Sequence, residues 1–553
     1  MPILEVIGIL SVFLLDFWAR RSNSGALQIS LRCFNQVARR RLLSVTVVGF
    51  LAFFLSAGIC FVRPTVPHIQ DEFSYLLAAD TFARGRLTNP THPMWVHFES
   101  FQIIHQPSYA SKYPPAQGLI LAAGQALAAK PLVGVWISLS LASAATCWML
   151  QGWLPPGWAL LGGLLVALHR GILQFWGASY WGGAVAMLGG ALVFGAFRRI
   201  VQRPRASYAV WMAIGLAILA NSRPFEGLVA IVPLGVVFLV WMLGKNGPPI
   251  RIAFRRVLMP AFLVLAPVAA WMAYYNLRVT GDPFTMPYQV HEKTYAMAPV
   301  FAWQAPRAEP AYRHNEIRDF YREDLQTFRD FSPSRTLHRL GRLWHFYFGV
   351  SALALPLVTL PWIARDRWMR LAVITCALFG AVMLLVTWTL PHYTAPITCL
   401  IFALLIQGLR HLRLWRWSRW PAGRSLSRAI VVLAAGSVIL VFAESIRQSL
   451  SNPDFDWIFL RPSLTAQLEA SEGRHLVIVR YMPKPINQHF EWVYNGADID
   501  GAKVVWAREM GLDHDRKLLE YFRDRVVWLL EADVQKPKLV PHPFQSSVST
   551  NVR

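Results

Sequence analysis

Residues 43–62 read LSVTVVGFLAFFLSAGICFV, and residues 63–79 continue RPTVPHIQDEFSYLLAA. The first stretch carries no charged side chain. A bilayer core of about 30 Å needs roughly 20 apolar residues in a helix, so this stretch predicts a membrane span. Pro64 and Pro67 then interrupt the chain, and a new helix is predicted to start near Asp71. The acidic pair Asp71-Glu72 therefore stands just past the end of a span, at the level of a lipid headgroup.

Similar apolar blocks recur outward from this point. The chain has 553 residues, 55% of them hydrophobic and only 15% charged, with mean hydropathy +0.36. A soluble chain of this length carries nearer a quarter charged residues. Hydrogen-bond satisfaction in lipid favours helices here, and the blocks are continuously apolar rather than alternating as in a barrel. The net charge of +23 could suggest nucleic acid. The basic residues instead sit in short loops beside apolar spans, where the positive-inside rule places them against anionic headgroups, so no nucleic-acid partner is expected. Cys33, Cys60, Cys147, Cys376 and Cys399 are scattered without metal-ligand spacing or an even pairing.

About twelve spans are predicted, at 2–18, 43–62, 132–154, 157–171, 175–197, 207–221, 225–243, 257–277, 343–363, 371–390, 393–410 and 429–446. The stretch from Pro2 to Trp18 lacks a basic leader and reads as a membrane helix rather than a signal peptide. Basic clusters orient the spans: Arg20 to Arg41, Arg198 to Arg205, Lys245 to Arg256, Arg365 to Arg370, and Arg410 to Arg428. Placing all five inside gives one consistent alternation. It puts 63–131, 278–342 and 447–553 outside together. Residues 117–129 are too short to cross and read as an interfacial helix.

The expected fold class is therefore mainly α: a polytopic transmembrane bundle over 1–446, with outer loops 63–131 and 278–342. A small extracytoplasmic α/β domain follows at 447–553. In it, 475–481, 503–508 and 525–531 read as strands and 513–523 as a helix. Asn495 to Gly501 reads as an exposed turn that could reach a ligand. It is too short, and lacks the closing glutamate, for an EF-hand calcium loop.

The first outer loop holds the residues with chemical potential. Asp71 and Glu72 can simply cap their helix, because unpaired amides and the dipole stabilise acids in a first turn. The same environment suits an anionic general base. The loop closes with Lys112-Tyr113-Pro114-Pro115 before the interfacial helix. Lys112 can hold its ammonium at headgroup depth as a phosphate ligand, or merely snorkel. Between them lie His92, Trp95, His97, Phe98, His105 and Tyr109, which suit either a sugar site or an aromatic belt. His105 and Tyr109, with Tyr75, are the candidate substrate contacts. Further along, Arg223 in Asn221-Ser222-Arg223-Pro224-Phe225-Glu226 can bind phosphate or pair with Glu226. His392 and Tyr393, on the same outer side, are with Lys112 and Arg223 the candidate ligands of the donor phosphate, or simply open a Pro-bounded helix.

A span, then Asp-Glu-x-x-Tyr-x-x-x-Ala, then a loop closed by Lys and Pro-Pro before an apolar helix resembles the GT-C superfamily. The likeness is nearest to its protein O-mannosyltransferase and aminoarabinose (lipid A) transferase branch, and is clearest over 43–200. Tyr393-Thr394-Ala395-Pro396 resembles a Tyr-x-x-Pro feature of a late helix there. The resemblance implies a glycosyltransferase that uses a polyprenyl-phosphate sugar. It places Asp71 as the residue that activates the acceptor, with Glu72 and Tyr75 completing the motif and Lys112 at the lipid phosphate. Tyr113 departs from the pattern by separating Lys112 from Pro114. The resemblance further implies an inverting displacement with no obligatory metal or other cofactor, the lipid-linked sugar being a substrate. The acceptor would be a glycan, lipid or protein hydroxyl, and a bacterial inner membrane with the site facing the periplasm is the expected location, an endoplasmic reticulum membrane with the site in the lumen being the alternative. The rival from the residues alone is a multispan lipid or glycolipid transporter, disfavoured because few ionisable residues interrupt the spans.

Overall fold

The computed structural model describes residues 5–11, 25–245, 247–330, 332–418, 421–450, 457–482, 491–534 and 537–543. The chain is a polytopic helix bundle capped at one end by loops and a small mixed sheet. Among the described residues, eight helices are long and apolar enough to cross a membrane: Arg41–Val62, Pro131–Trp153, Gly183–Gln202, Pro224–Leu243, Ile250–Thr280, Arg367–Leu384, Pro391–Leu412 and Ala422–Leu450. The predicted 157–171 span is shorter than expected, as helix Pro156–Ala167, and the predicted 207–221 span is helix Ala206–Ala220, 15 residues. The predicted 343–363 span is not one rod. Helices Pro333–Phe348 and Ser351–Ile363 meet at a 96° bend, where Gly349 breaks the helix and Pro356 shapes the second piece. The predicted 175–197 span starts only at Gly183, because 177–182 form a loop that serves the site. Of the predicted 2–18 span, residues 5–11 are helical and the rest lies outside the described residues.

The five basic loops come together at one end. Gln151 Nε2 donates to the Arg41 carbonyl at 2.9 Å, Arg199 Nη2 to the Trp148 carbonyl at 2.7 Å, and Arg256 Nη1 to the Pro204 carbonyl at 3.5 Å. Arg198 lies 4.0 Å over the Trp368 ring, and Arg410 faces Asp366. Segments 63–131, 278–342 and 457–543 meet at the other end. The interfacial helix is Pro115–Ala128, 14 residues, about 21 Å long and too short to span.

In the first outer loop, β1 (Ile103–Ile104) pairs antiparallel with β2 (Ala110–Ser111). The tail forms a four-stranded sheet from β3 (His475–Arg480), β4 (Val504–Arg508), β5 (Val526–Glu531) and β6 (Leu539–Pro541), in the order β4-β3-β5-β6. β3 runs parallel to both β4 and β5, while β6 is antiparallel to β5. Five of the six residues of β3 are buried, as a central strand covered on both faces requires. One face packs with helix Leu512–Tyr521 and with Leu77, Phe98, Ile103 and Tyr109 of the first outer loop. The other packs on Leu468 and Trp492. The tail and that loop thus share one core.

Candidate active site

Helix Gln70–Ala83 begins at the end of the first described span and presents its first two acids in different directions. Asp71 is partly exposed. Its Oδ1 accepts a hydrogen bond from the Tyr113 hydroxyl at 2.6 Å. The Tyr113 ring stacks on Tyr75 at 4.4 Å. Lys112 Nζ lies 5.3 Å from the centre of the Tyr113 ring and 4.0 Å from Glu292 of helix Pro287–Tyr295. Burial pushes the Tyr75 hydroxyl up to about 12, with the charge of Asp71 adding to the rise. Tyr113 is raised for the same reasons. Both phenols are therefore neutral donors.

Arg223 faces the same group of side chains from the start of helix Pro224–Leu243. It lies 4.7 Å over the Tyr393 ring and 3.6 Å from Glu226. Its charge also faces Tyr75 and Tyr113. Both readings of Arg223, phosphate ligand and partner of Glu226, are compatible with this geometry. His392 is buried beside Tyr393 and Trp181, with ring centres 4.9 and 4.8 Å away. The segment carrying them is set by a close approach of two backbones. A Cβ at Gly190 of helix Gly183–Gln202 would collide with the Pro396 carbonyl. The Ala116 amide donates to the Asn221 carbonyl at 2.9 Å, and Gln117 Nε2 donates to the Tyr180 carbonyl at 2.8 Å. These two bonds tie the Lys112 loop to the Arg223 and Trp181 segments. Among the described residues, His392 Nδ1, Trp181 Nε1, Asn221 Oδ1 and Gln117 Oε1 are buried without a hydrogen-bond partner. Such groups are costly unless a ligand satisfies them.

Helix Asn315–Arg329 adds Asp324 to the rim. Its carboxyl is raised to about 7, first by burial and then by Glu292, Glu323 and Asp71, with Lys112 opposing. Asp71, Tyr75, Arg223, His392 and Tyr393 are thus brought together, with Lys112 at one edge.

Three predicted site residues are elsewhere. Glu72 is 1% exposed. Its Oε2 accepts from the His68 and Ile69 amides at 3.1 and 3.3 Å, and its Oε1 from the Tyr180 amide at 3.0 Å. It caps its helix and anchors the loop that carries Trp181, so it is not a reacting carboxylate. Its turn from Asp71 follows from the helical step of about 100° per residue. His105 is buried with its Nε2 accepting from the Ser100 amide at 3.2 Å, and stacks near Trp95 and Tyr109. Tyr109 is buried and donates to the Asn495 carbonyl at 2.8 Å. Tyr109 thus holds the loop against the tail, and His105 packs within the loop. The Asn495 to Gly501 turn is docked as well: the Ala497 amide donates to Asp80 at 2.8 Å, Arg84 pairs with Asp498 at 3.4 Å and His92 with Asp500 at 3.1 Å.

Sequence reasoning missed Tyr113 as a site residue, although it stands inside the quoted loop motif and was noticed only as an interruption. Trp181, Glu292 and Asp324 carried no local signal.

No protein-family model matches this sequence, and comparison with curated proteins gives no relative. Comparison with solved structures gives likenesses over much of the chain. ArnT from Cupriavidus metallidurans in the apo state aligns at TM-score 0.48 and 12% identity, over 96% of this chain and 95% of that one. The Archaeoglobus fulgidus oligosaccharyltransferase in the apo form aligns at TM-score 0.45 and 14% identity, over 79% of this chain. The same archaeal enzyme, AglB, in complex with an inhibitory peptide and a dolichol-phosphate aligns at TM-score 0.44 and 12% identity, over 79% of this chain. The chain spans 62% of the length of these archaeal structures.

Proposed function

We propose that this chain is a membrane glycosyltransferase that moves a sugar from a polyprenyl-phosphate donor to an acceptor hydroxyl on the outer face. The observation that carries the reading is the hydrogen-bonded pair Asp71–Tyr113, set at 2.6 Å beside Tyr75 and facing the charge of Arg223. Asp71 is the general base that takes the acceptor proton. Arg223 and Lys112 neutralise the phosphate as the bond to the sugar breaks, a role for fixed cations in a water-poor site. The unpartnered polar atoms of His392, Trp181 and Asn221 supply hydrogen bonds for the donor. A single displacement inverts the anomeric centre, and nothing in this step requires a metal ion. The site faces the periplasm of a bacterial inner membrane, and the basic loops face the cytoplasm. Purified protein incubated with a radiolabelled polyprenyl-phosphate sugar and candidate acceptors tests the reading. Failure to transfer or hydrolyse any such donor in lipid, with the protein folded, would refute it.

A further inference from the structure

The end of the bundle opposite the Asp71 pocket contains a cavity of about 550 Å³. It lies where helix Pro391–Leu412 ends and helix Ala422–Leu450 begins, beside helix Pro156–Ala167. Trp158, Arg410, His411, Arg413, Arg416 and Arg424 line it, and among the described residues its lining contains no Asp or Glu. Arg413 stands 5.9 Å over the Trp158 ring. Arg410 Nη1 donates to Gln407 Oε1 at 2.7 Å. Among the described residues, none of the four arginines is within ion-pair distance of a carboxylate. Asp366 faces Arg410 but forms no contact pair with it.

The positive-inside rule accounts for arginines on this face in general. It does not account for four of them converging on one concave space. Like charges gathered without acids repel one another, and the guanidinium fork matches phosphate oxygens bidentately. We infer that this arginine-lined cavity is a binding site for a phosphate-bearing anion, separate from the transferase pocket. The Pro391–Leu412 segment carries His392 at one end and Arg410 at the other, and a helical rise of 1.5 Å per residue puts the two sites about 25–30 Å apart. The anion is either the headgroup of an anionic phospholipid in the adjoining leaflet or a soluble phosphate compound, which share this chemistry.

Two probes separate these sources. The full chain in phosphatidylcholine nanodiscs is supplied with dilute phosphatidylglycerol, and retention is read by native mass spectrometry. The full chain in neutral detergent is titrated with inorganic pyrophosphate, and the shift in Tm is read. R413Q/R424Q is compared with R203Q/R205Q, which removes the same charge from exposed positions of the same face outside the cavity. Retention of the lipid without a pyrophosphate shift assigns the headgroup, and a pyrophosphate shift assigns the phosphate itself. In either case R413Q/R424Q should weaken binding by roughly tenfold for each guanidinium lost, the loss of about one charge-assisted hydrogen bond each, while R203Q/R205Q binds as the wild type does. Binding of neither probe to the wild type, or equal loss in both variants, overturns the site. The first of these outcomes is read on the wild type and so does not depend on a variant folding.

Discussion

The Tyr113 hydroxyl donates to Asp71 Oδ1 at 2.6 Å, across 42 positions of sequence. The neighbouring carboxylate, Glu72, is turned away and is filled by three backbone amides. Two adjacent acids that look alike in the sequence therefore do different work. Asp71 keeps one oxygen outside its bond to Tyr113, whereas both oxygens of Glu72 are engaged by backbone amides.

Asp71→Asn should abolish sugar transfer while leaving Tm unchanged. The amide preserves shape and loses the base, which typically costs about a hundred- to ten-thousand-fold in rate. Initial rates with a verified donor, beside a thermal melt, check both halves of this expectation.

Tyr113→Phe keeps the ring stacked on Tyr75 and removes only the hydroxyl. A hydrogen bond to a charged group contributes about 1.5–3 kcal/mol, so kcat should fall roughly tenfold to a hundredfold with little change in donor affinity. An unchanged kcat would show that the bond does not orient Asp71 during turnover.

Glu72→Ala should unfold the site rather than silence it selectively. It strips the acceptor from three backbone amides in a buried place, at a cost of about 2–5 kcal/mol. The expected signature is a lowered Tm together with lost donor binding, whereas Asp71→Asn loses turnover alone.

Asp324 gives a pH dependence. Its carboxyl is raised to about 7, by burial first and by neighbouring carboxylates next, from an ordinary value near 3.9. The native state therefore holds this proton more tightly than the unfolded chain does. The stabilisation is full below about pH 4 and is lost as pH rises through 7. Asp324→Asn, which cannot ionise, should melt higher than the wild type at pH 8 and level with it near pH 4. Melting curves across that range check the sign.

Arg508 is fully buried where the tail meets the two outer loops. It donates to Glu316 at 2.6 Å and to Glu491 at 2.8 Å, and its Nε to the Glu99 carbonyl at 2.5 Å. Glu99 in turn accepts from the Tyr295 hydroxyl at 2.6 Å. Arg508→Ala leaves buried carboxylates unpaired, which costs about 3–5 kcal/mol. Accelerated proteolysis within 457–543 is the expected readout. The same network ties the tail to loops that border the pocket, so deleting the tail should destabilise them.

The sequence by itself determined the membrane class, because crossing lipid demands long uncharged helices and leaves that demand in plain view. It also located the strands at 475–481, 503–508 and 525–531 to within a residue or so of β3, β4 and β5, since β-like apolar runs bounded by polar turns are local signals. Asp71 was legible for the same reason: a span end, two prolines and a helix start lie within a few residues of it. Only the tertiary structure decided which neighbours count. Glu72 meets Tyr180 across 108 positions, and Tyr109 meets Asn495 across 386. No local pattern records such pairings, so Glu72, His105 and Tyr109 looked like site residues and are supports. Tyr113 looked like an interruption and is the partner of Asp71. A side chain's type and spacing set what it can do, but the direction it faces and the groups it meets come from packing of distant segments, and that is where the pocket is made.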